Sequence, residues 1–556
     1  MKSKRIMGLV LTVLLIGTLT LAFNIQPAKA SGTIYIKADG SVDPDTAPIS
    51  SVDNVTYTFT DNISDTYGII VERSNIIVDG NGYTLQGSGS VPFVVYGFYL
   101  SGISNVTIQN VNITGFGAGI SLEGSDQNKI FGNNITNNGF SGFGAIYLSS
   151  SSNNTISGNN ITNNEYGIRL DSSSNNTLRN NDVTNNEYNF GVYGSLLSHY
   201  IQDIDDSNIV NGKPVYYWVN RRDMTVPLDA GYAALVNCTR MTVKNLNLTN
   251  SGQAVLLALT TNSTINKNTI TNSNDGIYLD HSSNNILRDI NTIDNNVCGV
   301  YLYASSDNTL TSINGKGASY GLGAITLDFS NSNILTDINA SNNGGNYGVY
   351  LKDSSNNLLR SIEATDDYRG IYLRASLNNT IANVHANITD NYEGFADTRA
   401  VDFTDYSDNN TLVNSTLSKY RYGLTIEASS SNNRIYHNNF IDCEYMHARV
   451  LSGLNNVFDL GPIIGGNYWS GHVCIGNPSN GSQPYLIDEW VGGIDHYPFQ
   501  DPNGWLLPPA PVGGIYIPVN KLELLAPYVG LTILLVVAVI TVVYVKKRKR
   551  NSEINS

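Results

Sequence analysis

The chain has 556 residues, 41% of them hydrophobic and 14% charged, with four cysteines. That is enough apolar residue for a large core, and far too little cysteine for a disulfide-built scaffold. A formal net charge of −14 argues against nucleic acid or anionic lipid as a partner surface.

Residues 1–30 have the pattern of a secretory signal. Lys2, Lys4 and Arg5 precede an apolar run from Ile6 to Phe23, and Ala28-Lys29-Ala30 is a small-x-small cleavage site. Residues 31–500 form the body. Within it "SSNNTISGNNITNNEYGIRLD" at 151–171 returns as "SSNNTLRNNDVTNNEYNFGVY" from Ser173, "SSNNILRDINTIDNNVCGVYLY" from Ser282, "SSNNLLRSIEATDDYRGIYLR" from Ser354 and "SSNNRIYHNNFIDCEYMHARV" from Ser430. Weaker copies fill the gaps at about 22 to 26 residues, with one longer step near residues 390–404. A fixed period of this length means a solenoid, each unit burying its apolar face against its neighbours.

Asn, Ser, Thr and Gly are poor helix formers, and no 3.6-residue apolar stripe is sustained. The short β-branched runs bounded by Asn or Gly predict two or three strands per coil. Ile156, Ile161, Ile168 and Leu170 are expected to point inward, with Leu178, Val183, Val192, Leu359, Ile362, Ile371 and Leu373 as equivalents. Paired Asn residues suit turns and, stacked coil over coil, amide ladders. On this reading Ile168→Asp disrupts folding and Asn159→Ser is mild.

These units resemble the right-handed parallel β-helix repeats of pectate-lyase-like proteins. More narrowly they resemble the NosD-type family, named for a periplasmic protein of copper-site maturation. "NIVNGKPVYYWVNRRDMTVPLDAGYAALVNC" at 208–238 and "GGNYWSG…PYLIDEWVGGIDHYPF" at 465–499 carry the narrower likeness. The resemblance spans about residues 34–500. It implies an all-β right-handed parallel β-helix solenoid, and it implies little about activity.

An insertion at about 199–237 interrupts the repeat, with a turn signal at Asn211-Gly212 that predicts a protruding hairpin. Residues 443–500 break the pattern as a capping region. Residues 501–525 read as a Pro/Gly-rich stalk. Residues 526–545, including the apolar run Tyr528–Val545, predict a transmembrane helix, and the basic tail 546–556 places the C-terminus in the cytoplasm. This ending resembles the anchors of archaeal surface proteins. Without leader and tail the exported part carries roughly −22. It also holds roughly seventeen N-x-Ser/Thr sequons, among them Asn54, Asn105, Asn153, Asn247 and Asn387, which the N-N-T repeat inflates.

Candidate chemistry falls into three groups. Related β-helix enzymes cleave polysaccharides with clustered carboxylates plus Arg or His. Here Asp366, Asp367, Arg369 and His385 are the candidates, with Arg360 and Arg374 nearby, as acid and base or as a Ca²⁺ site for a lyase. Asp366 and Asp367 align with the turn pair Asn163 and Asn164, so a turn role competes. Asp203, Asp205 and Asp206 form a second acidic group. For ligand binding, Tyr216, Tyr217, Trp218, Tyr278, Tyr301, Tyr350 and Tyr372 offer rings to stack on sugars, against inter-coil stacking as the alternative. For metal, Cys443, Met446, His447, His472 and Cys474 lie within one short segment and have donor types suited to copper. Cys443 and Cys474 are alternatively expected to form a disulfide, leaving Cys238 and Cys298 free.

The function expected from sequence is recognition of glycans or envelope proteins along a lateral face. A polysaccharide lyase, epimerase or hydrolase comes second and NosD-like copper handling third.

Overall fold

In the computed structural model the described residues are 32–88, 95–139, 142–318, 322–343, 346–389, 396–487 and 491–506. The predicted leader, the predicted transmembrane helix, the basic tail and most of the predicted stalk lie outside the described residues. No helix among the described residues is long and apolar enough to cross a membrane.

The chain from 32 to 505 is an all-β, right-handed parallel solenoid of about 16 turns. Equivalent residues of successive coils pair in register. Ile146, Ile168 and Phe190 form one inward column, Ile135, Ile161 and Val183 a second, and Ile130, Ile156 and Leu178 a third. Every inward position named from the sequence is buried. Each such side chain contributes about 1.5–3 kcal/mol of burial free energy. The recurring Gly-Ile-x-Leu pattern has a steric cause. A side chain on Gly167 would place its first carbon 2.3 Å from Val183 Cγ1, inside the core.

Asparagine does two jobs. At the outer edge of the turns it adopts left-handed backbone, as at Asn153 (φ 57°), Asn163 (φ 58°) and Asn175 (φ 54°), which its short polar side chain tolerates. Inside the turns it forms ladders. Asn159 Nδ2 donates to Asn181 Oδ1 at 2.9 Å, to the Ile130 carbonyl at 3.0 Å and to the Ser157 carbonyl at 3.2 Å, while its Oδ1 accepts from the Asn133 backbone N–H at 3.0 Å. Asn159 is 1% exposed. Serine at the equivalent place, Ser415, keeps two of these bonds, accepting from the Val384 N–H at 3.1 Å and donating to the Val413 carbonyl at 3.0 Å, so Asn159→Ser gives up the bonds to the Ile130 carbonyl and Asn181 Oδ1 and keeps the rest.

The body is two stacks with two cores, not one continuous core with a protruding insertion. One core runs from Ile34 to Val215 and takes in a few residues as far as Ala258, and the other runs from Val226 to Ile487. Segment 199–237 is the joint between them. Asp182–Thr184 pairs in parallel with Ile209–Val210. A two-residue turn at Asn211 (φ 50°) and Gly212 (φ 75°) then reverses the chain into the antiparallel partner Lys213–Val219. That strand in turn starts the second stack by pairing in parallel with Tyr232–Val236. The predicted hairpin exists, but its second arm is built into a sheet. Tyr217, Tyr232, Ala234 and Leu256 face the first core although they lie on second-stack strands. The outer face of the second stack's first coils therefore closes the end of the first stack.

At the C-terminal end the core is covered by Trp469. It stacks between Phe440 (4.3 Å, 8°) and Tyr485 (4.2 Å, 6°), and its Nε1 donates to Asp495 Oδ2 at 2.8 Å. The antiparallel pair Tyr485–Ile487 and Gly493–Asp495 lies over this end, as a solenoid cap must.

Candidate functional site

The joint between stacks creates a cleft of about 500 Å³. Asp203, Asp205 and Asp206 come from the last turn of the first stack, Tyr216 and Trp218 from the first strand of the second, and Arg221 from just after that strand. Tyr216 and Trp218 sit on alternate positions of Lys213–Val219, so both rings point the same way, with centroids 5.9 Å apart and 67° between planes. Both are half-buried against the start of the second core. Tyr216 OH donates to Asp229 Oδ1 at 3.0 Å. Arg179 ties down Asp203 (2.6 Å) and Asp205 (3.0 Å). Asp206 is exposed and has no ion pair or side-chain hydrogen bond among the described residues. Tyr217, the residue between the two rings, is buried in the first core and donates to the Tyr200 carbonyl at 2.6 Å. It is a packing residue and not a ligand-binding one.

The other four tyrosines stand on the outward face of the second stack. Tyr278 pairs with Tyr301, and Tyr350 with Tyr372. Tyr350 and Tyr372 stack face to face at 4.9 Å and 9°, whereas Tyr278 and Tyr301 lie 5.2 Å apart and are tilted by 59°. Arg369 covers Tyr372 at 4.6 Å. Inter-coil stacking, the alternative weighed against sugar binding, is the geometry of Tyr350 and Tyr372, while Tyr278 and Tyr301 make a tilted inter-coil contact.

The catalytic candidates do not converge. Asp366 takes the left-handed turn position (φ 59°), and its carboxylate accepts from Thr389 N–H at 2.7 Å and Thr389 OH at 2.9 Å. Asp367 points inward, fully buried, and its Oδ1 accepts from the Asn343 N–H (2.9 Å) and Nδ2 (3.1 Å). Burial holds its carboxyl well above the usual range. The pair therefore continues the turn and ladder roles of Asn163 and Asn164, and its diverging side chains offer no shared Ca²⁺ position. Arg369 points outward to Asp402 at 2.6 Å, and His385 sits 3.9 Å from Glu363 on another strand.

Sequence reasoning missed the ion network that Arg369 joins. Arg399 binds Asp402 (2.8 Å), Asp397 (2.8 Å) and Glu427 (2.9 Å), and buried Asp402 sits between the two guanidiniums. The longer repeat step hid this register. Arg369 pairs with Arg399, and Tyr372 with Asp402, across a separation of about 30 residues.

The metal candidates are likewise dispersed. His447 bonds Tyr485 OH and Ser470 Oγ, each at 3.0 Å, and His472 donates to the Gln483 carbonyl at 3.0 Å. Cys443 points at the Leu417 carbonyl (3.8 Å), and Cys474 at the Pro498 carbonyl (3.7 Å). The two thiols face different segments, so the expected Cys443–Cys474 disulfide is not formed and all four cysteines are free. Burial pushes the Cys443 thiol up to about 12. Met446 pairs with Tyr422 at the strand edge. Among the described residues no three His, Cys, Asp or Glu side chains are grouped to hold a metal ion. The donor types suit copper, but their placement among the described residues does not assemble a copper site.

Comparison with known families sets this geometry in context. The family model described as periplasmic copper-binding protein (NosD) matches residues 51–216, 222–314 and 311–474. The chain belongs to the NosD family. The break between the first two matched segments falls where the NosD-family chain passes into its second stack. No curated protein matches it. Solved structures similar to it include a mutant of the periplasmic alginate epimerase AlgG, at 12% identity over 74% of this chain and 80% of that chain, with a TM-score of 0.28. A mutant tailspike protein of E. coli bacteriophage HK620 is 12% identical over 70% of this chain and 71% of that one, with a TM-score of 0.31. DFA-IIIase from Arthrobacter chlorophenolicus A6 in complex with GF2 is 12% identical over 66% and 86%, with a TM-score of 0.22.

Proposed function

We propose that this NosD-family chain is exported, tethered to the membrane through residues 526–545, and recognises neutral glycans in the cleft between its two stacks. The observation that carries the reading is the joint itself. It places two half-exposed aromatic rings, Tyr216 and Trp218, beside an uncommitted carboxylate, Asp206. A ring face packs against the apolar face of a pyranose, and a carboxylate accepts from sugar hydroxyls. The surrounding acidity disfavours uronates and sulfated chains. The leader pattern, the apolar run and the basic tail support export and tethering. This narrows the lateral-face expectation to one cleft, because the outward tyrosines pack against neighbouring rings.

The test is a glycan array probed with the full chain in detergent, followed by titration of the best neutral glycan. Asp206→Asn and Trp218→Phe are expected to weaken binding several-fold and Trp218→Ala at least about tenfold, roughly 1.4 kcal/mol. Circular dichroism should be unchanged for the first two. Binding that survives all three changes, or an array that reports no glycan, would sink the reading. Release of shortened sugar from a bound glycan would replace it with hydrolysis.

A further inference from the structure

Seven of the sequons fall into two structural classes with opposite chemistry. Asn153, Asn175, Asn378 and Asn409 occupy the outer edge of the turns. Each is exposed and left-handed (φ 57°, 54°, 56° and 59°), and the side-chain amide of each has no hydrogen bond among the described residues. The Thr two positions on starts the next strand and is only partly covered, at Thr155, Thr177, Thr380 and Thr411. Asn112, Asn134 and Asn160 belong to a different surface. They lie in the strands Asn112–Thr114, Asn134–Thr136 and Asn160–Thr162, which pair in register coil over coil. Their amides are consumed in a ladder. Asn160 Nδ2 donates to Asn134 Oδ1 at 2.8 Å, Asn134 Nδ2 to Asn112 Oδ1 at 3.3 Å, and Asn112 Nδ2 to the Gly82 carbonyl at 2.7 Å.

We infer that the turn edge is a glycosylation edge and that the strand face is excluded from it. In the step, the asparagine amide nitrogen attacks C1 of a sugar carried on a lipid-linked phosphate. The C1–O bond to phosphate breaks, the lipid phosphate leaves, and the amide nitrogen gives up one proton. An amide projecting from a left-handed turn can enter a transferase site without disturbing the sheet. An amide in the ladder cannot, because its nitrogen is held against the next coil, about 4.8 Å away, where a sugar would collide with that coil. The same spacing limits the edge itself. Asn153 and Asn175 are on adjacent coils, as are Asn378 and Asn409, so one of each pair carries the glycan at a time.

The inference rests on export as proposed above, and the test separates the two. Protein purified from its native cells is digested and its sequon peptides are read by mass spectrometry, alongside protease shaving of intact cells. The expected result is shaving of the body, glycan on Asn153 or Asn175 and on Asn378 or Asn409, and bare Asn112, Asn134 and Asn160. Asn153→Gln with Asn175→Gln should remove one glycan mass. Asn134→Gln should remove none. A shaved but wholly bare protein, or glycan on the strand asparagines, overturns this inference and leaves export standing. A body inaccessible to protease overturns both.

Discussion

Coil 151–171 of the first stack and coil 354–374 of the second are built from matching sequence, yet their interiors are solved differently. In the first, Asn159 is the buried ladder residue and Ile161, two residues on, fills the core. In the second the same two positions are Ile362 and Ala364, both buried. The difference recurs over runs of coils. Asn133, Asn159, Asn181 and Asn208 form a ladder in the first stack, and Ile290, Ile313, Ile338 and Ile362 replace it over four coils of the second, which returns to amides at Asn438 and Asn467. The large core residue becomes Thr292, Gly315, Ala340 and Ala364 in compensation. A left-handed residue persists in both, Gly158 (φ 65°) against Ser361 (φ 55°), so the bend of the coil is unchanged. One backbone path thus accepts either an amide ladder with a large aliphatic or a large aliphatic with a small one. What must be conserved is the filled volume and the satisfied backbone, as close packing requires.

The largest test of this comparison is to exchange the two solutions. Asn159→Ile removes the acceptor of the Asn133 N–H and the partners of two buried carbonyls, and it adds a side chain opposite Ile161. Ile362→Asn puts an unladdered amide among aliphatics. Each is expected to cost on the order of 3–5 kcal/mol, read as loss of the corresponding stack's protease resistance. Because the cores are separate, damage from Asn159→Ile should stay largely in residues 32–210. Equal loss in both stacks would mean that they unfold as one unit.

A second contrast is between the outer face where the stacks meet and the outer face beyond it. Asp275 stands on an outward position of the second stack, yet it is buried, and its Oδ1 has no hydrogen-bond partner. It is buried beside Tyr193 and Tyr166 of the first stack and Cys298 of the second, with Asn274 at 3.5 Å and Arg169 across the seam next to Tyr193. Burial pushes its carboxyl up to about 7. The folded value exceeds the unfolded one near 3.9, so the stabilisation is fully present below about pH 4 and is lost as pH rises through 7. Relative to Asp275→Asn, the native protein should lose up to about 4 kcal/mol between pH 4 and pH 8, measured as the difference between the two denaturation curves. Asp495 in the C-terminal cap is likewise pushed to about 7, and comparing variant with native cancels its share. A variant that tracks the native curve at every pH would place water at Asp275.

How far the sequence discloses the molecule follows from what repeats. The inward aliphatics recur every coil and are legible, as are the turn asparagines, because each is set by contacts with identical neighbours. The second core was not legible. Asn211-Gly212 announces a reversal, but nothing local says that the arm after it enters a sheet, since Tyr217 and Leu256 are apolar whichever core they face. The cleft was half legible. Tyr216, Trp218 and the three aspartates were each noted, and only the joint brings them together. Arg369 was grouped with its sequence neighbours Asp366 and Asp367, whereas in a solenoid a residue's partners lie one coil away, at Arg399 and Asp402.

The smallest expected effect bears on Asp367, an acid that stands in a ladder of amides. Asp367 follows Asn343 where Asn186 follows Asn164, and it accepts from Asn343 as Asn186 does from Asn164. An amide at this position also donates. Asn164 Nδ2 reaches the Thr162 carbonyl at 2.9 Å and the Ile135 carbonyl at 3.0 Å, whereas Asp367 Oδ2 is buried with no partner. Asp367→Asn should therefore gain about 1 kcal/mol at pH 8. Because the folded carboxyl titrates above the unfolded one, the native protein regains stability as pH falls, and the advantage of the variant shrinks toward pH 4. Asp366→Asn, at an exposed left-handed turn where Asn163 already fits, should stay within about 0.5 kcal/mol. Glycan binding should be unchanged in both, because neither side chain lines the cleft. A stability loss for Asp367→Asn at pH 8 would mean the carboxylate holds a partner that an amide cannot. Loss of activity on a polysaccharide would restore the pair as catalytic groups.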